Sequence, residues 1–196
     1  MPRIAEPRPP AEPSSPEQKE RYRRILQAAA RHGAAKGLER VQMHDIAKDA
    51  GVAIATLYRY FPSKTHLFTA LMGARVEELF DTVADAPAPP DPAAAVSDLL
   101  IGAGRQLLAR PLLAHAMMQS NNAAVRTSDS AVTKVFADLM LEVLHLEDPD
   151  AEQERLVRIT EAAWYGIIMS ALNGHITAEQ ADEDTRVACR RLLADI

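Results

Sequence analysis

The sequence predicts an all-α protein: an N-terminal three-helix domain built on a helix-turn-helix, then a larger C-terminal helical bundle, about nine helices in all. Three observations carry this. Apolar residues recur at helical spacing along most of the chain. No stretch alternates as a half-buried strand does. Glycines, prolines and capping residues fall at helix-length intervals.

Residues 1–15 are rich in Pro, Glu and Ser, with Ile4 the only bulky apolar side chain after Met1, and predict a flexible arm. Tyr22, Ile25, Ala29 and His32 or Gly33 form a stripe that predicts a first helix over 16–36, ended by Gly37. A short second helix at 44–50 stops at Gly51, and a third at 54–61 stops at Pro62. Ser63 suits the N-cap of a long fourth helix, 64–84, with Leu67, Leu71 and Val76 or Leu79 along one side. Residues 86–92 (APAPPDP) are the clearest break. Pro92 fits the first turn of a fifth helix reaching 110, and Pro111 opens another short one. Residues 119–130 (QSNNAAVRTSDS) read as a polar loop. Helices at 131–145, 152–173 and 177–194 complete the chain, the last opened by Thr177 and Gln180 at capping-box spacing. The expected organisation is an arm at 1–15, a helix-turn-helix domain at 16–62 and a second domain at 63–196.

Composition narrows the function. With 196 residues, 47% of them hydrophobic and 25% charged, the chain can bury a sizeable core. It has no apolar run of membrane-spanning length, and its first residues lack the apolar centre of a signal peptide. One cysteine, Cys189, excludes an internal disulfide and a cysteine metal cluster, and its simplest state is a packed thiol. A cytoplasmic protein without metal or cofactor is expected. No HExxH, phosphate-cradling glycine loop or nucleophile motif supports an enzyme. The net charge of −5 conceals an asymmetry: residues 16–75 carry eleven basic and five acidic side chains, whereas 76–196 carry nine basic and twenty acidic. A basic amino-terminal module on an acidic body suits a nucleic-acid reader with a separate sensing or assembly domain.

The chemistry concentrates at 43–61. Ile46, Ala47 and Ala50 give one helix a small apolar face, Gly51 permits the turn, and Leu57 with Phe61 anchors the next helix to the same core. With Leu57 inward, Ala55 and Arg59 lie opposite and Thr56 and Tyr58 on the flanks. The Ala55 methyl can meet a thymine methyl and Arg59 a guanine edge, while Thr56, Tyr58 and Tyr60 can hydrogen-bond phosphates. Thr56 can equally bond back to its own helix, and Tyr60 can equally be a core aromatic. His44 and His66 suit surface or capping roles, with His44 also within reach of DNA. Lys64, in the first turn of the fourth helix, opposes that helix's dipole unless it meets a negative partner such as a phosphate.

In the carboxy-terminal part, Met117, Met118, Met140 and Met169 with Phe136, Trp164, Tyr165 and Ile168 suit either a pocket for a bulky hydrophobic ligand or ordinary core packing. Residues 156–172 are apolar on more than one face, as a helix at once in a core and at an interface would be. Val187, Ala188, Leu192 and Leu193 on the last helix supply its partner.

The stretch VQMHDIAKDAGVAIATLYRYFPSKTHLFTAL resembles the signature of TetR-family transcriptional repressors, closely over residues 20–75. The resemblance implies a DNA-binding domain, a helical domain that binds a small effector, and a homodimer joined through the last two long helices and seated on a palindromic operator. By position, Ile54, Ala55, Tyr58 and Arg59 would then face bases, Gln42, Thr56, Tyr60 and Lys64 would hold phosphates, and His44 would touch either. Ala53 stands where a capping residue is frequent, Gln42 where Thr is usual, and Ile54 where a polar residue is common. Within the family, VQM, TLYRYFPSK, RPLLAHAMM and AAWYGIIMSAL look like the steroid-catabolism repressors of actinobacteria, the KstR-like branch. The alternative is a helical ligand-binding or scaffold protein without DNA contact, against which the basic segment and TLYRYF weigh.

Overall fold

The computed structural model describes residues 10–83, 90–125, 131–194 and 196, and every regular element among them is a helix. Ser15 caps α1 (Pro16–Arg40) by accepting from the Gln18 amide. At Gly37, φ is 68°, a left-handed turn that breaks α1 where its end was expected, and a short helical stretch then resumes to Arg40. α2 (Met43–Asp49) and α3 (Ile54–Tyr60) meet at Gly51, whose φ of 64° makes the tight turn. There the Val52 amide donates back to the Ala47 carbonyl at 3.0 Å. Ser63 precedes α4 (Lys64–Val83) and accepts from the His66 amide, so the His66 ring sits beside a cap, hydrogen-bonded to Ser63 Oγ at 2.8 Å.

Asp91 caps α5 (Pro92–Leu108) through the Ala94 amide at 2.9 Å. α6 (Pro111–Val125), α7 (Ala131–Val143), α8 (Ala151–Leu172) and α9 (Ala178–Leu192) follow. Reciprocal capping boxes open the last two, Asp150 with Gln153 and Thr177 with Gln180.

Two expectations are corrected. Residues 119–125 are not loop but the second half of α6. Ser120 and Asn121 are only 1% and 8% exposed, so they continue the buried face begun by Met117 and Met118 and tertiary packing overrides their loop preference. The second correction concerns the arm. The Ala11 amide donates to the Arg59 carbonyl at 3.0 Å and Ala11 packs on the neighbouring core, so the arm is docked against α3 at Ala11. Residues 1–9, position 84 at the expected end of the fourth helix, 85–89 in the break and 126–130 lie outside the described residues.

The interior forms two apolar clusters. The first joins Ile25, Ile46, Leu57 and Phe61 to Leu67 and Phe68 of α4 and to Leu113 and Ala116 of α6. It therefore continues past residue 62. The second gathers Leu100, Met118, Leu139, Met140, Trp164 and Ile168. Met72 and Leu107 pack against both. Where α1, α4 and α6 meet, a Cβ on Gly33 would come within 2.7 Å of Phe68 Cε1 and 2.8 Å of Leu113 Cδ1, so a glycine is what lets the three helices close.

Candidate functional site

Two places collect chemistry: the outer face of α2–α3 and a cavity in the carboxy-terminal bundle. On the first, burial of Leu57 (0% exposed) turns Ala55, Tyr58 and Arg59 outward. Tyr58 is 48% exposed, a large fraction for an aromatic ring. Gln42, at the N-cap of α2, and His44 in its first turn are exposed beside them; Ile54 is half-buried against the first core, and Thr56 is half-buried. Ala53 gives α3 no side-chain cap, and the Thr56 and Leu57 amides are met only by the Ala53 carbonyl.

Three candidate residues carry extra duties. Arg59 folds back over the Tyr60 ring, its guanidinium carbon 5.1 Å from the ring centroid and Nη2 donating to the Tyr60 hydroxyl at 3.2 Å. Tyr60 is 2% exposed and packs edge-on against Tyr22. Its phosphate role is thereby corrected: three residues from Leu57, it shares the inward face and is a core aromatic. Lys64 Nζ donates to the Leu38 and Glu39 carbonyls, each at 3.3 Å. Those carbonyls at the end of α1 offset the charge that opposes the α4 dipole, so Lys64 ties two helices together. Elsewhere in the basic module Arg23 pairs with Glu20, Arg31 with Asp49 and Lys36 with Asp45. Lys36 holds the Asp45 carboxyl below its usual range, chiefly through their hydrogen bond.

The cavity, about 390 Å³, lies between α4, α5, α6, α7 and α8. Of the eight candidate effector residues, Met117, Met118, Phe136, Trp164 and Tyr165 line it. Phe136 stacks on Trp164 with ring centroids 5.1 Å apart, and Trp164 Nε1 donates to the Leu100 carbonyl at 3.0 Å, so the indole offers the cavity an apolar face. Met140 and Ile168 do not line it; they are buried in the second core, where Ile168 closes on Gly104. Met169 packs half-buried against the same core.

The polar wall was missed: Arg75, Gln106, Asn121, Asn122, Arg158 and Glu161. Its signal was present in a polar quartet, 119–122, placed in register with Met117 and Met118, and in Arg158, Glu161 and Tyr165 at i, i+3, i+7 on α8.

Burial pushes the Glu161 carboxyl up to about 7. A carboxyl raised above its unfolded value binds its proton more tightly when folded. Stability therefore falls as pH rises from about 4.5 towards 7, and the loss is complete above that. Glu161→Gln removes the ionisation. Its Tm should equal the wild-type value near pH 4.5 and exceed it by roughly 2–4 °C at pH 8, as differential scanning calorimetry will show. Cys189, fully buried, has its thiol raised to about 11 by burial and is a packing group. No cluster of potential metal ligands occurs among the described residues.

Residues 25–71 match the family described as bacterial regulatory proteins, tetR family, and residues 90–192 match the tetracyclin repressor-like C-terminal domain. The HTH-type transcriptional repressor KstR of Rhodococcus jostii is 30% identical over 185 residues, covering 93% of this chain and 87% of the relative. KstR of Mycobacterium tuberculosis is 29% identical over 192 residues, covering 94% and 86%. The crystal structure of a TetR transcriptional regulator from Rhodococcus sp. RHA1 superposes with a TM-score of 0.83 at 40% identity, covering 92% of this chain and 99% of that one.

Proposed function

The chain belongs to the TetR family of bacterial regulatory proteins, and from that premise we propose that it is a homodimeric repressor released from a palindromic operator by a small, largely apolar effector. The observation that carries this reading is the shared use of α4 and α6. Both complete the core beneath the exposed α2–α3 face, and both wall the cavity. An effector that prefers one arrangement of these helices shifts the seating of α3, and DNA and effector then weaken each other reciprocally.

On the reading face, Ala55, Tyr58 and Arg59 meet bases, with Ile54 adding an apolar contact. Gln42, His44, Thr56 and Lys64 meet phosphates. Arg59 must leave the Tyr60 ring to do so, and Lys64 acts from the position where it already binds α1.

Dimerisation is assigned to α8 and α9. Ile159 and Val187 are 42% and 39% exposed, and a Cβ on Gly166 would meet nothing within 4 Å, leaving room for a crossing helix. A two-fold pair places two α3 helices one DNA turn apart and favours a palindrome. No helix among the described residues is long and apolar enough to cross a membrane, and the proposed place of action is the cytoplasm.

The test is fluorescence anisotropy on palindromes from DNA upstream of the coding region. A specific complex of one or two dimers is expected, its affinity falling about 10³-fold or more between 50 and 200 mM salt. Equal binding to unrelated DNA, or no salt-dependent complex, overturns the reading.

A further inference from the structure

Four polar side chains on the cavity wall already have partners. Trp164 Nε1 is held by Leu100, the Tyr165 hydroxyl accepts from Asn122 Nδ2 at 2.6 Å, and Arg75 binds Glu78 at 2.6 Å. Gln106 and Arg158 are exposed to solvent; of the rest, two groups have no partner among the described residues. Asn121 Oδ1 is buried without a hydrogen bond, on a residue only 8% exposed. The Glu161 carboxyl makes no hydrogen bond or ion pair among the described residues, although burial holds it back from ionising. An amide oxygen left dry costs about 1–3 kcal/mol, so such a group in a cavity wall points to a ligand that supplies the missing donor. The Asn122–Tyr165 bond brings together the stretches of α6 and α8 that carry these two residues: Asn121 precedes Asn122, and Glu161 lies one turn before Tyr165.

We propose that Asn121 and Glu161 are the polar anchor of the cavity, and that its ligand is an uncharged, largely apolar molecule bearing a hydroxyl group. The hydroxyl donates to Asn121 Oδ1 and accepts from the Glu161 carboxylic acid. The inference rests on reading the cavity as the effector site. A hydroxyl is the small group that satisfies an acceptor and a donor at once. A carboxylate would set anionic oxygens against Asn121 Oδ1. An ammonium would enter past Arg75 of α4 and Arg158 of α8. With Glu161 and Tyr165, both of α8, these are the charged or titratable groups lining the cavity; α5, α6 and α7 add none among the described residues. Arg158 is exposed and Arg75 is occupied by Glu78, so neither supplies a buried, unpaired anion site.

Trp164 is the single tryptophan and lies in the wall, so its emission reports occupancy directly. The full chain is titrated with 1-decanol, its methyl ether, decanoate and decylamine at pH 6 and pH 8.5. Decanol should bind about tenfold more tightly than the ether, which keeps the acceptor but lacks the donor. Its affinity should fall about tenfold from pH 6 to 8.5, because a carboxylate and Asn121 Oδ1 cannot both accept from one hydroxyl. Glu161→Gln should hold decanol at both pH values and abolish that dependence. Asn121→Leu should bring decanol down to the affinity of its ether. Equal binding of alcohol and ether, or preference for decanoate or decylamine, overturns the hydroxyl assignment and leaves the effector site standing. No change in Trp164 emission with any compound overturns both, while operator binding is decided separately by anisotropy.

Discussion

Tyr58→Ala is expected to weaken operator binding about 10–100-fold while leaving the fold unchanged. Tyr58 is 48% exposed and makes no side-chain hydrogen bond or ring contact among the described residues, so its removal should alter unfolding free energy by no more than about 0.5 kcal/mol. Removing a contact at the weak end of the usual range costs about 1 kcal/mol per protomer, and a dimer loses it twice, which corresponds to roughly 30-fold. The comparison is with Lys64→Ala. That substitution should also weaken binding, but with a lower Tm, because Lys64 ties α4 to the Leu38 and Glu39 carbonyls. Anisotropy at fixed salt and thermal melts of both variants separate the two cases. If Tyr58→Ala binds the operator normally, the proposed docking of α3 is wrong.

Phe68→Ala should abolish DNA binding by another route, through loss of about 3–5 kcal/mol of stability. Phe68 is 0% exposed, and its ring edge fills the space against Gly33 where α1 and α4 meet. Truncation opens a cavity in the cluster that positions α2 and α3, and the loss is a large share of the roughly 5–15 kcal/mol that holds a domain folded. Urea unfolding should show a lowered midpoint with little change in slope. The opposite perturbation at the same joint is Gly33→Ala, which overpacks against Phe68 and Leu113 and should cost about 1–3 kcal/mol. In a Phe68→Leu background that cost should shrink in part, because the ring atoms the new methyl strikes are gone while Leu113 Cδ1 remains. Additive effects would show that Gly33 and Phe68 do not share one packing site.

The fold was largely legible because helix signals are local. Ser15, Gly37, Gly51, Ser63 and Thr177 mark boundaries through short-range hydrogen bonds or a positive φ, and a window of a few residues contains the whole cause. Residues 119–125 were misread for the converse reason. Ser, Asn and Asn look like loop until α4 and α8 are set opposite them, and that contact spans more than forty residues of chain. Tyr60 is similar. Its wheel position sits near the boundary between outward and inward faces, and Tyr22, thirty-eight residues earlier, decides the matter. In the cavity the aromatic and Met117–Met118 wall was visible from residue type. Met140, Ile168 and Met169 have the same chemistry and a different depth, which residue type does not encode.

The bond from the Ala11 amide to the Arg59 carbonyl has a practical consequence. It fastens the chain ahead of α1 to the last turn of the helix assigned to the DNA groove. Anything joined directly to residue 10, whether an affinity tag, a fluorophore or a fused protein, is thereby tethered near that groove. A bulky or acidic fusion there would compete with the operator for space and charge. A label placed in this way would in turn report DNA arrival at close range.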